Sequence, residues 1–197
     1  MPKALYFRLS EKKRNRIDRA LGEIFAQKDF RSVTVQEIVE ALGIARGSFY
    51  QYFDSLEESY FYILDRELTE MHRLFLQLLQ EREGRLFEAL DAFGEAAVPI
   101  LYAQGTYQLY RSRYLCMDGR LEAAWQAYER AHSSYGAALE KTVDHDRVAF
   151  IQAVVHHSIQ RLFAENWDQT TFLAHYRQNV QWMKEGIGDG TLDGSFI

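Results

Sequence analysis

The stretch Thr34–Phe53, T-V-Q-E-I-V-E-A-L-G-I-A-R-G-S-F-Y-Q-Y-F, contains two short helical patterns separated by a glycine. Thr34 and Glu37 have the spacing of a capping box, in which each side chain accepts a hydrogen bond from the other residue's free backbone N–H. Apolar residues then recur at helical spacing as far as Gly43, where a helix can end with positive φ at no steric cost. The pattern predicts a helix between Thr34 and Gly43.

A second short helix starts at about Ala45 and places Phe49 and Phe53 one turn apart on an inward face. Its remaining side chains are expected to point outward or sideways. An apolar pair for anchoring, a glycine for close approach and a polar, aromatic outer face are typical of a helix that enters the major groove of DNA. We therefore interpret the stretch as a helix-turn-helix.

The segment before this motif is basic. Residues 1–9 form an arm that contains Lys3 and Arg8, and we expect it to fray, with a phosphate contact as the alternative. Ser10 is the expected N-cap of the next helix. Basic residues crowd the first half of that helix and form either a solvated face or, as we favour beside a helix-turn-helix, a set of phosphate contacts. They are Lys12, Lys13, Arg14, Arg16 and Arg19.

Charge is divided unevenly along the 197 residues, whose formal net charge is −5. Residues 1–53 hold 10 Lys and Arg against 6 Asp and Glu, whereas residues 54–197 hold 13 against 22. Such asymmetry indicates one portion that binds a polyanion and another with a different role.

The single cysteine, Cys116, excludes an intramolecular disulfide framework and is typical of the cytoplasm. No apolar run reaches about 18 residues, and the start of the chain has no apolar signal-peptide core, so we expect neither membrane insertion nor secretion.

The rest of the chain is also helical in pattern, with no convincing strand, so the predicted fold is all-α. A three-helix domain over residues 1–54 is expected to precede a larger helical domain over residues 55–186 and a flexible tail over residues 187–197. Pro99 is expected to bend or end one of the helices. The helices predicted for the larger domain run from Ser55 to about Arg82, from Arg85 to Leu101, around Tyr107–Tyr114, from about Leu121 to Lys141, from about Asp146 to Glu165 and from Thr170 to Glu185.

From Arg16 to Tyr60 the chain resembles the TetR family of bacterial transcriptional regulators. The resemblance rests on F-R-S-V-T-V-Q-E-I-V-E-A-L-G-I-A-R-G-S-F-Y-Q-Y-F-D-S-L-E-E, whereas residues 61–197 match in architecture only. It implies an operator-binding homodimer formed through the last two helices, with a small-molecule effector in the larger domain. The family often has Ser or Thr where this chain has Ala45, and Lys where it has Leu56. A phosphate contact at Leu56 is therefore not implied.

Several side chains of the motif are candidates for contact with DNA. Arg46 can bond guanine or a phosphate, Gln51 can bond adenine or merely solvate the helix, and Gly47 permits close approach of the duplex. Tyrosine hydroxyls can donate to phosphates, although Tyr52 has packing as an alternative, and Thr34 has capping. The candidate set is Thr34, Arg46, Gly47, Ser48, Tyr50, Gln51 and Tyr52.

The larger domain is rich in aromatic residues, which form either a core or a ligand cavity. The resemblance implies a cavity among the middle helices, and Arg113 or Arg111 could meet an anionic group there. The candidate ligand residues are Tyr107, Tyr110, Arg113, Tyr114, Trp125 and Tyr128. His156 and His157 are expected in a core or an interface, since no two histidines have the i, i+4 spacing that chelates a metal. We expect no metal and no cofactor.

The sequence is therefore interpreted as a dimeric, ligand-responsive DNA-binding regulator, most simply a repressor released from a pseudo-palindromic operator. One alternative is an activator or architectural protein whose second domain only dimerises. The other is a small-molecule-binding or enzymatic helical protein. No nucleophile elbow, glycine-rich phosphate loop or HExxH motif supports catalysis, so we expect no enzymatic activity.

Overall fold

The computed structural model describes residues 1–132 and 145–186. Within these ranges all regular structure is helical, which confirms the predicted fold class. The predicted tail, Tyr135 and the end of the helix expected to reach Lys141 lie outside the described residues. The helices are α1 (Ala4–Phe7), α2 (Glu11–Gln27), a 3-10 turn (Phe30–Ser32), α3 (Val35–Leu42), α4 (Arg46–Tyr52), α5 (Leu56–Glu81), α6 (Leu86–Leu101), α7 (Tyr107–Leu115), α8 (Gly119–His132), α9 (His145–Ala164) and α10 (Gln169–Glu185).

The limits of α3 follow from the residues that flank it. Thr34 Oγ1 accepts a 3.3 Å hydrogen bond from the Glu37 N–H, and Gly43 has the left-handed φ of 62° that ends the helix. The expected capping box is only half formed, because the Glu37 carboxylate instead pairs with the Lys28 ammonium at 2.5 Å. The turn to α4 has no side-chain cap at Ala45, as its methyl group dictates.

The expectation that residues 1–9 fray is wrong. Tyr6, on α1, is fully buried, and its hydroxyl donates to the Asp18 carboxylate of α2. Its ring also packs on that of Phe53, with centroids 5.5 Å apart. Burial of a whole aromatic ring stabilises the docked arm against the entropy of fraying.

Two hydrophobic clusters form the interior. The first is formed by helices α1, α2, α3 and α4 together with the start of α5. It also includes Leu109 of α7 and Trp125 of α8. The second lies among α5, α6, α7, α9 and α10. Leu68 packs against both clusters, and the neighbours Leu109 and Tyr110 place α7 in both. The first core thus extends beyond residue 54 into the middle helices.

Close packing of α6 on α10 depends on a glycine. The Tyr176 hydroxyl donates a 3.0 Å hydrogen bond to the Leu90 carbonyl, and the Tyr176 ring covers Gly94. A Cβ at Gly94 would lie 2.5 Å from ring carbons of Tyr176. Pro99 lies inside α6 and does not end it, since the helix continues to Leu101. Among the described helices none is sufficiently long and apolar to cross a membrane.

Candidate functional site

The outer face of α4 carries most of the predicted DNA contacts. Phe49 and Phe53 are buried, which holds the helix to the first core as predicted. Arg46 and Tyr50 are exposed on the opposite side, where Arg46 Nη2 lies 3.5 Å from Tyr50 Oη and the guanidinium lies 5.9 Å from the centre of the tyrosine ring. Four residues apart, the two side chains form one cationic and aromatic surface.

The other motif residues differ in their accessibility. Gly47, Gln51 and Thr34 are exposed, and Ser48 is half-buried. No atom lies within 4 Å of a Cβ built at Gly47, so the fold itself leaves room for a side chain there. Packing within the fold therefore does not require a glycine at this position.

Tyr52 does not face outward as the sequence led us to expect. It is 5% exposed, and its ring meets that of Tyr6 edge to face with centroids 6.3 Å apart. The ammonium of Lys13 lies 5.9 Å from the centre of the Tyr52 ring on the other side. This position supports the packing alternative for Tyr52, because little of the side chain remains for a nucleic acid.

The N-terminal arm packs against α4, a contact that neither the expected fraying nor the alternative phosphate contact had included. The Lys3 ammonium donates a 2.8 Å hydrogen bond to the Tyr50 carbonyl and pairs with the Asp54 carboxylate at 2.7 Å. The Lys3 N–H donates to the Tyr52 carbonyl at 2.8 Å. Both carbonyls belong to the last turn of α4, where they have no partner within the helix. The run of apolar residues from Leu5 to Phe7 was the available signal that this arm packs.

Basic residues of α2 divide into two groups. Arg16 donates to the Leu42 carbonyl at the end of α3 at 2.5 Å, and Arg14 donates to the Phe7 carbonyl at 3.1 Å. These two therefore stabilise the fold around α3 and α1. Lys12, Lys13 and Arg19 are exposed and remain accessible to phosphates.

A second candidate site is a cavity of about 80 Å³ among α5, α6, α7 and α9. Twelve of its lining side chains are apolar and five carry polar atoms. The apolar ones are Leu68, Met71, Phe75, Leu79, Leu86, Leu90, Phe93, Leu101, Val148, Ile151, Val155 and Ile159; the polar ones are His72, Tyr110, Tyr114, Gln152 and His156.

Of the six predicted ligand residues, only Tyr110 and Tyr114 line this cavity. Tyr107 packs beside it on Phe163, with centroids 5.2 Å apart. Trp125 and Tyr128 belong to the first core, where both pack on Phe61. Aromatic content did not distinguish the two cores, and the cavity residues of α5 and α9 have the same periodicity as ordinary core positions.

Arg113 also lies outside the cavity lining. Its guanidinium makes two hydrogen bonds to the Glu122 carboxylate, at 2.7 and 3.3 Å, and stacks 5.7 Å from the centre of the Trp125 ring. It borders a shallow neighbouring groove together with Tyr114 and His156. Arg111 is absent from the cavity lining as well.

The pKa values of the two cavity histidines are shifted downward. Burial lowers the pKa of His72 to about 4, and repulsion from His156 contributes in the same direction. Desolvation by the cavity wall also lowers the pKa of His156, although that residue is exposed to solvent on the side of the groove. Neutral imidazoles at this position can both donate and accept hydrogen bonds.

Helices α9 and α10 bury one side and expose another. Phe163 and Phe172 are buried in the second core, and Asn179 donates to Ser158 at 2.9 Å to join the two helices. Phe150 and Trp182, by contrast, are 60% and 49% exposed. Exposed large apolar residues on these helices are compatible with a face that a second subunit covers.

Cys116 connects the end of α7 to the segment before the helix-turn-helix. Its thiol donates a 2.8 Å hydrogen bond to the Asp29 carboxylate, which also accepts from the Arg31 N–H at 3.0 Å. Burial raises the pKa of Cys116, and the bond to Asp29 raises it further. A thiol held in its protonated form is a poor nucleophile.

Across residues 1–132 and 145–186, no cluster of three or more His, Cys, Asp or Glu side chains could hold a metal ion.

Comparisons with known proteins cover both halves of the chain. Residues 19–58 match the family model described as "Bacterial regulatory proteins, tetR family", and residues 86–186 match "Tetracyclin repressor, C-terminal domain". No curated protein sequence matches the chain.

Three solved structures are similar over most of their length. A putative TetR-family transcriptional regulator from Mesorhizobium loti MAFF303099 is 14% identical, with a TM-score of 0.58, over 86% of this chain and 94% of that one. A transcriptional regulator (TerR/AcrR family) from Aquifex aeolicus VF5 is 19% identical, with a TM-score of 0.52, over 87% and 99%. A TetR family transcriptional regulator from Chloroflexus aurantiacus J-10-FL is 25% identical, with a TM-score of 0.49, over 94% and 98%. At these levels of identity the first two similarities concern the fold alone.

Proposed function

The chain belongs to the TetR family of DNA-binding transcriptional regulators, and from that membership we propose that it is a homodimeric repressor whose operator binding is released by a small molecule. Regulators of this family are generally DNA-binding proteins rather than enzymes. Because its operator lies in bacterial DNA, we place the protein in the cytoplasm.

The DNA-facing part of the proposal is supported by the surface of α4. Arg46, Gly47, Tyr50 and Gln51 are all exposed on a helix whose opposite face is anchored by Phe49. In a dimer, two such helices about 34–36 Å apart enter successive major grooves of a pseudo-palindromic site. The accessible lysines and arginine of α2 add contacts to the phosphate backbone that position the protein without reading sequence.

The dimer is proposed to form through α9 and α10. Two large apolar side chains, Phe150 and Trp182, are exposed on these helices in the single chain. Packing the pair of helices from two subunits against each other removes such side chains from water at a gain of roughly 25 cal/mol per Å² of apolar surface. The arrangement is a four-helix interface.

The proposed switch is supported by the position of α7, which contributes residues both to the cavity and to the first core. Tyr110 and Tyr114 line the cavity, while Leu109, on the same helix, packs in the core that holds α4. The Tyr60 hydroxyl of α5 donates to the Leu109 carbonyl at 3.5 Å, and Cys116 bonds Asp29. A displacement of α7 is therefore transmitted to both α5 and the segment before α3.

A ligand larger than the cavity would displace the helices that line it. Pockets for drug-sized ligands measure about 300–1,000 Å³, whereas this cavity measures about 80 Å³. A ligand of ordinary size must widen it, which favours a conformer with altered helix positions. The ligand shifts the equilibrium only by its differential affinity for the two conformers. A second domain that served for dimerisation alone would have no need of such a cavity.

Selection from random-sequence duplex DNA tests the proposal. The purified chain is expected to enrich a pseudo-palindrome whose half-sites are about one helical turn apart. Binding to that site is then measured with and without a ligand that occupies the cavity. Failure to enrich any sequence contradicts the DNA-binding assignment of these residues, and a ligand that binds without altering DNA affinity contradicts the switch.

A further inference from the structure

We propose that the cavity selects an elongated, uncharged and mainly hydrocarbon ligand with one neutral hydrogen-bonding group, and that it discriminates against carboxylates and quaternary ammonium ions. The inference rests on the proposed function, since it takes the cavity among α5, α6, α7 and α9 as the effector site. It adds the chemical class of the effector.

The wall of the cavity carries the first part of the argument. Of its seventeen lining residues, twelve have apolar side chains, and none of the seventeen is Asp, Glu, Lys or Arg. Transfer of an ionised group from water to such a wall is costly unless an opposite charge and hydrogen bonds compensate for it. A hydrocarbon ligand gains from the same transfer.

The shape of the cavity indicates an elongated ligand. Its α5 lining runs from Leu68 to Leu79, which corresponds to roughly 16 Å along a helix axis. The volume is small for that length, so the space is narrow. Met71, with three rotatable bonds, is a side chain that can readily make room for an alkyl chain.

The polar side chains indicate a neutral head group. His72, Gln152 and His156 offer both donors and acceptors, which suit a hydroxyl, an amide or a carbonyl. The Tyr110 hydroxyl already donates to the Glu67 carbonyl at 3.4 Å. Recognition of a single neutral group therefore falls to the other polar side chains of the lining, which include the Tyr114 hydroxyl and the Gln152 amide.

The arginine that borders the neighbouring groove is already compensated. Arg113 borders the neighbouring groove, yet its guanidinium holds the Glu122 carboxylate in two hydrogen bonds at 2.7 and 3.3 Å. A carboxylate ligand that paired with Arg113 would have to displace the Glu122 carboxylate, which would leave Glu122 without its partner. The expectation that Arg113 meets an anionic ligand group is replaced by a structural role beside Trp125.

Three probes with ten carbons in the main chain test the inference on the full chain: 1-decanol below its solubility limit, and decanoate and decyltrimethylammonium below their micelle concentrations, all at pH 7.5. Isothermal titration calorimetry is expected to give a Kd for 1-decanol at least tenfold lower than for either ion. An equal or tighter Kd for decanoate or for the cation overturns the inference, and so does the absence of binding by 1-decanol.

Two variants assign the binding to this cavity. Val155→Trp fills the space from a half-buried position and is expected to abolish decanol binding. Gln152→Leu is expected to raise the Kd for 1-decanol at least threefold. A far-UV circular dichroism spectrum and a cooperative thermal transition like those of the wild type show that each variant is folded. Unchanged decanol binding in both variants overturns the inference.

Failure of the two proposals can be told apart. If decanoate binds more tightly than decanol and releases DNA, the ligand class is wrong but the switch stands. If decanol binds through Gln152 and DNA affinity does not change, the ligand class stands and the proposed switch fails.

Discussion

The Lys3 ammonium donates a 2.8 Å hydrogen bond to the main-chain carbonyl of Tyr50, so the N-terminal arm holds the last turn of the helix that carries the candidate DNA contacts. The same ammonium pairs with Asp54, just beyond that helix. The arm and the helix are 47 positions apart in the sequence. Lys3 is therefore expected to act on DNA binding by positioning α4 rather than by touching phosphate.

Lys3→Met removes the ammonium and keeps much of the alkyl stem. A typical hydrogen bond of this kind contributes about 1 kcal/mol, so operator affinity is expected to fall roughly fivefold. The measurement is the equilibrium affinity over a range of salt concentrations. Because Lys3 contacts no phosphate in this view, the slope of log affinity against log salt is expected to stay as in the wild type.

Lys12→Met is the matched control for Lys3, because Lys12 is exposed on α2. Loss of one phosphate contact lowers the magnitude of the salt slope by about 1. If Lys3→Met reduces the slope in the same way, the positioning role is wrong and Lys3 is a phosphate contact.

Arg46→Ala and Tyr50→Phe are expected to weaken operator binding without unfolding the protein, since both side chains are exposed. A bidentate arginine–guanine contact is worth about 1–3 kcal/mol of discrimination, so Arg46→Ala should lose about tenfold or more. Arg46→Lys separates the two possible partners of Arg46. A lysine can replace a phosphate contact but not the planar fork on guanine. Wild-type gel-shift affinity in both Arg46→Ala and Tyr50→Phe would contradict this placement.

Gly47→Leu tests whether DNA approaches the backbone of α4. A Cβ at this position meets no atom within 4 Å, and leucine favours a helix over glycine by roughly 0.5–1 kcal/mol. The folded protein is therefore expected to be as stable as the wild type or slightly more stable in a urea titration. DNA affinity is expected to fall more than tenfold because the new side chain occupies the space of the duplex. Normal DNA binding by a stable variant would show that no close approach occurs there.

Gly94→Ala and Gly22→Ala form a matched pair of helical glycine substitutions. A Cβ at Gly94 lies 2.5 Å from the Tyr176 ring, whereas one at Gly22 has open space. Gly94→Ala is expected to lower the free energy of unfolding by about 1–3 kcal/mol through overpacking. Gly22→Ala is expected to raise it by about 0.5–1 kcal/mol. A change of the same sign in both variants would exclude the close packing of α6 on α10 as the cause.

His72 makes stability depend on pH. Its folded-state pKa of about 4 lies below the unfolded value of 6.5, so the unfolded chain binds the proton first as pH falls. The contribution of His72 to stability is complete above pH 6.5 and is lost between pH 6.5 and 4. One pKa unit corresponds to about 1.4 kcal/mol, and we expect a loss of roughly 2 kcal/mol over this range.

His72→Gln provides the comparison for that pH dependence. The difference in unfolding free energy between wild type and variant, measured by denaturant titration, isolates the histidine from the carboxylates that titrate in the same range. As pH falls from 6.5 to 4, the wild type is expected to lose more unfolding free energy than the variant. Parallel curves for the two proteins over that range would contradict a half-buried His72 with a lowered pKa.

Features that depend on neighbouring residues could be predicted from the amino-acid sequence alone. Thr34 caps α3 and Gly43 ends it, and the spacing of Phe49 and Phe53 identifies the buried side of α4. These signals act within one or two turns, so the helix-turn-helix and the all-α fold could be predicted without tertiary information. The same locality explains the correct position of the long helix that follows Ser55.

Which sides of these helices are covered depends on contacts between segments that are distant in the sequence. Tyr52 is buried because Tyr6 packs on it, and Trp125 belongs to the first core because Phe61 meets it there. An apolar side chain has the same periodicity whether it fills a core or lines a cavity, so the sequence could not separate Trp125 from Tyr114. The physical reason is that hydrophobic burial is non-directional, and the partner of each face is set by segments far away in the chain.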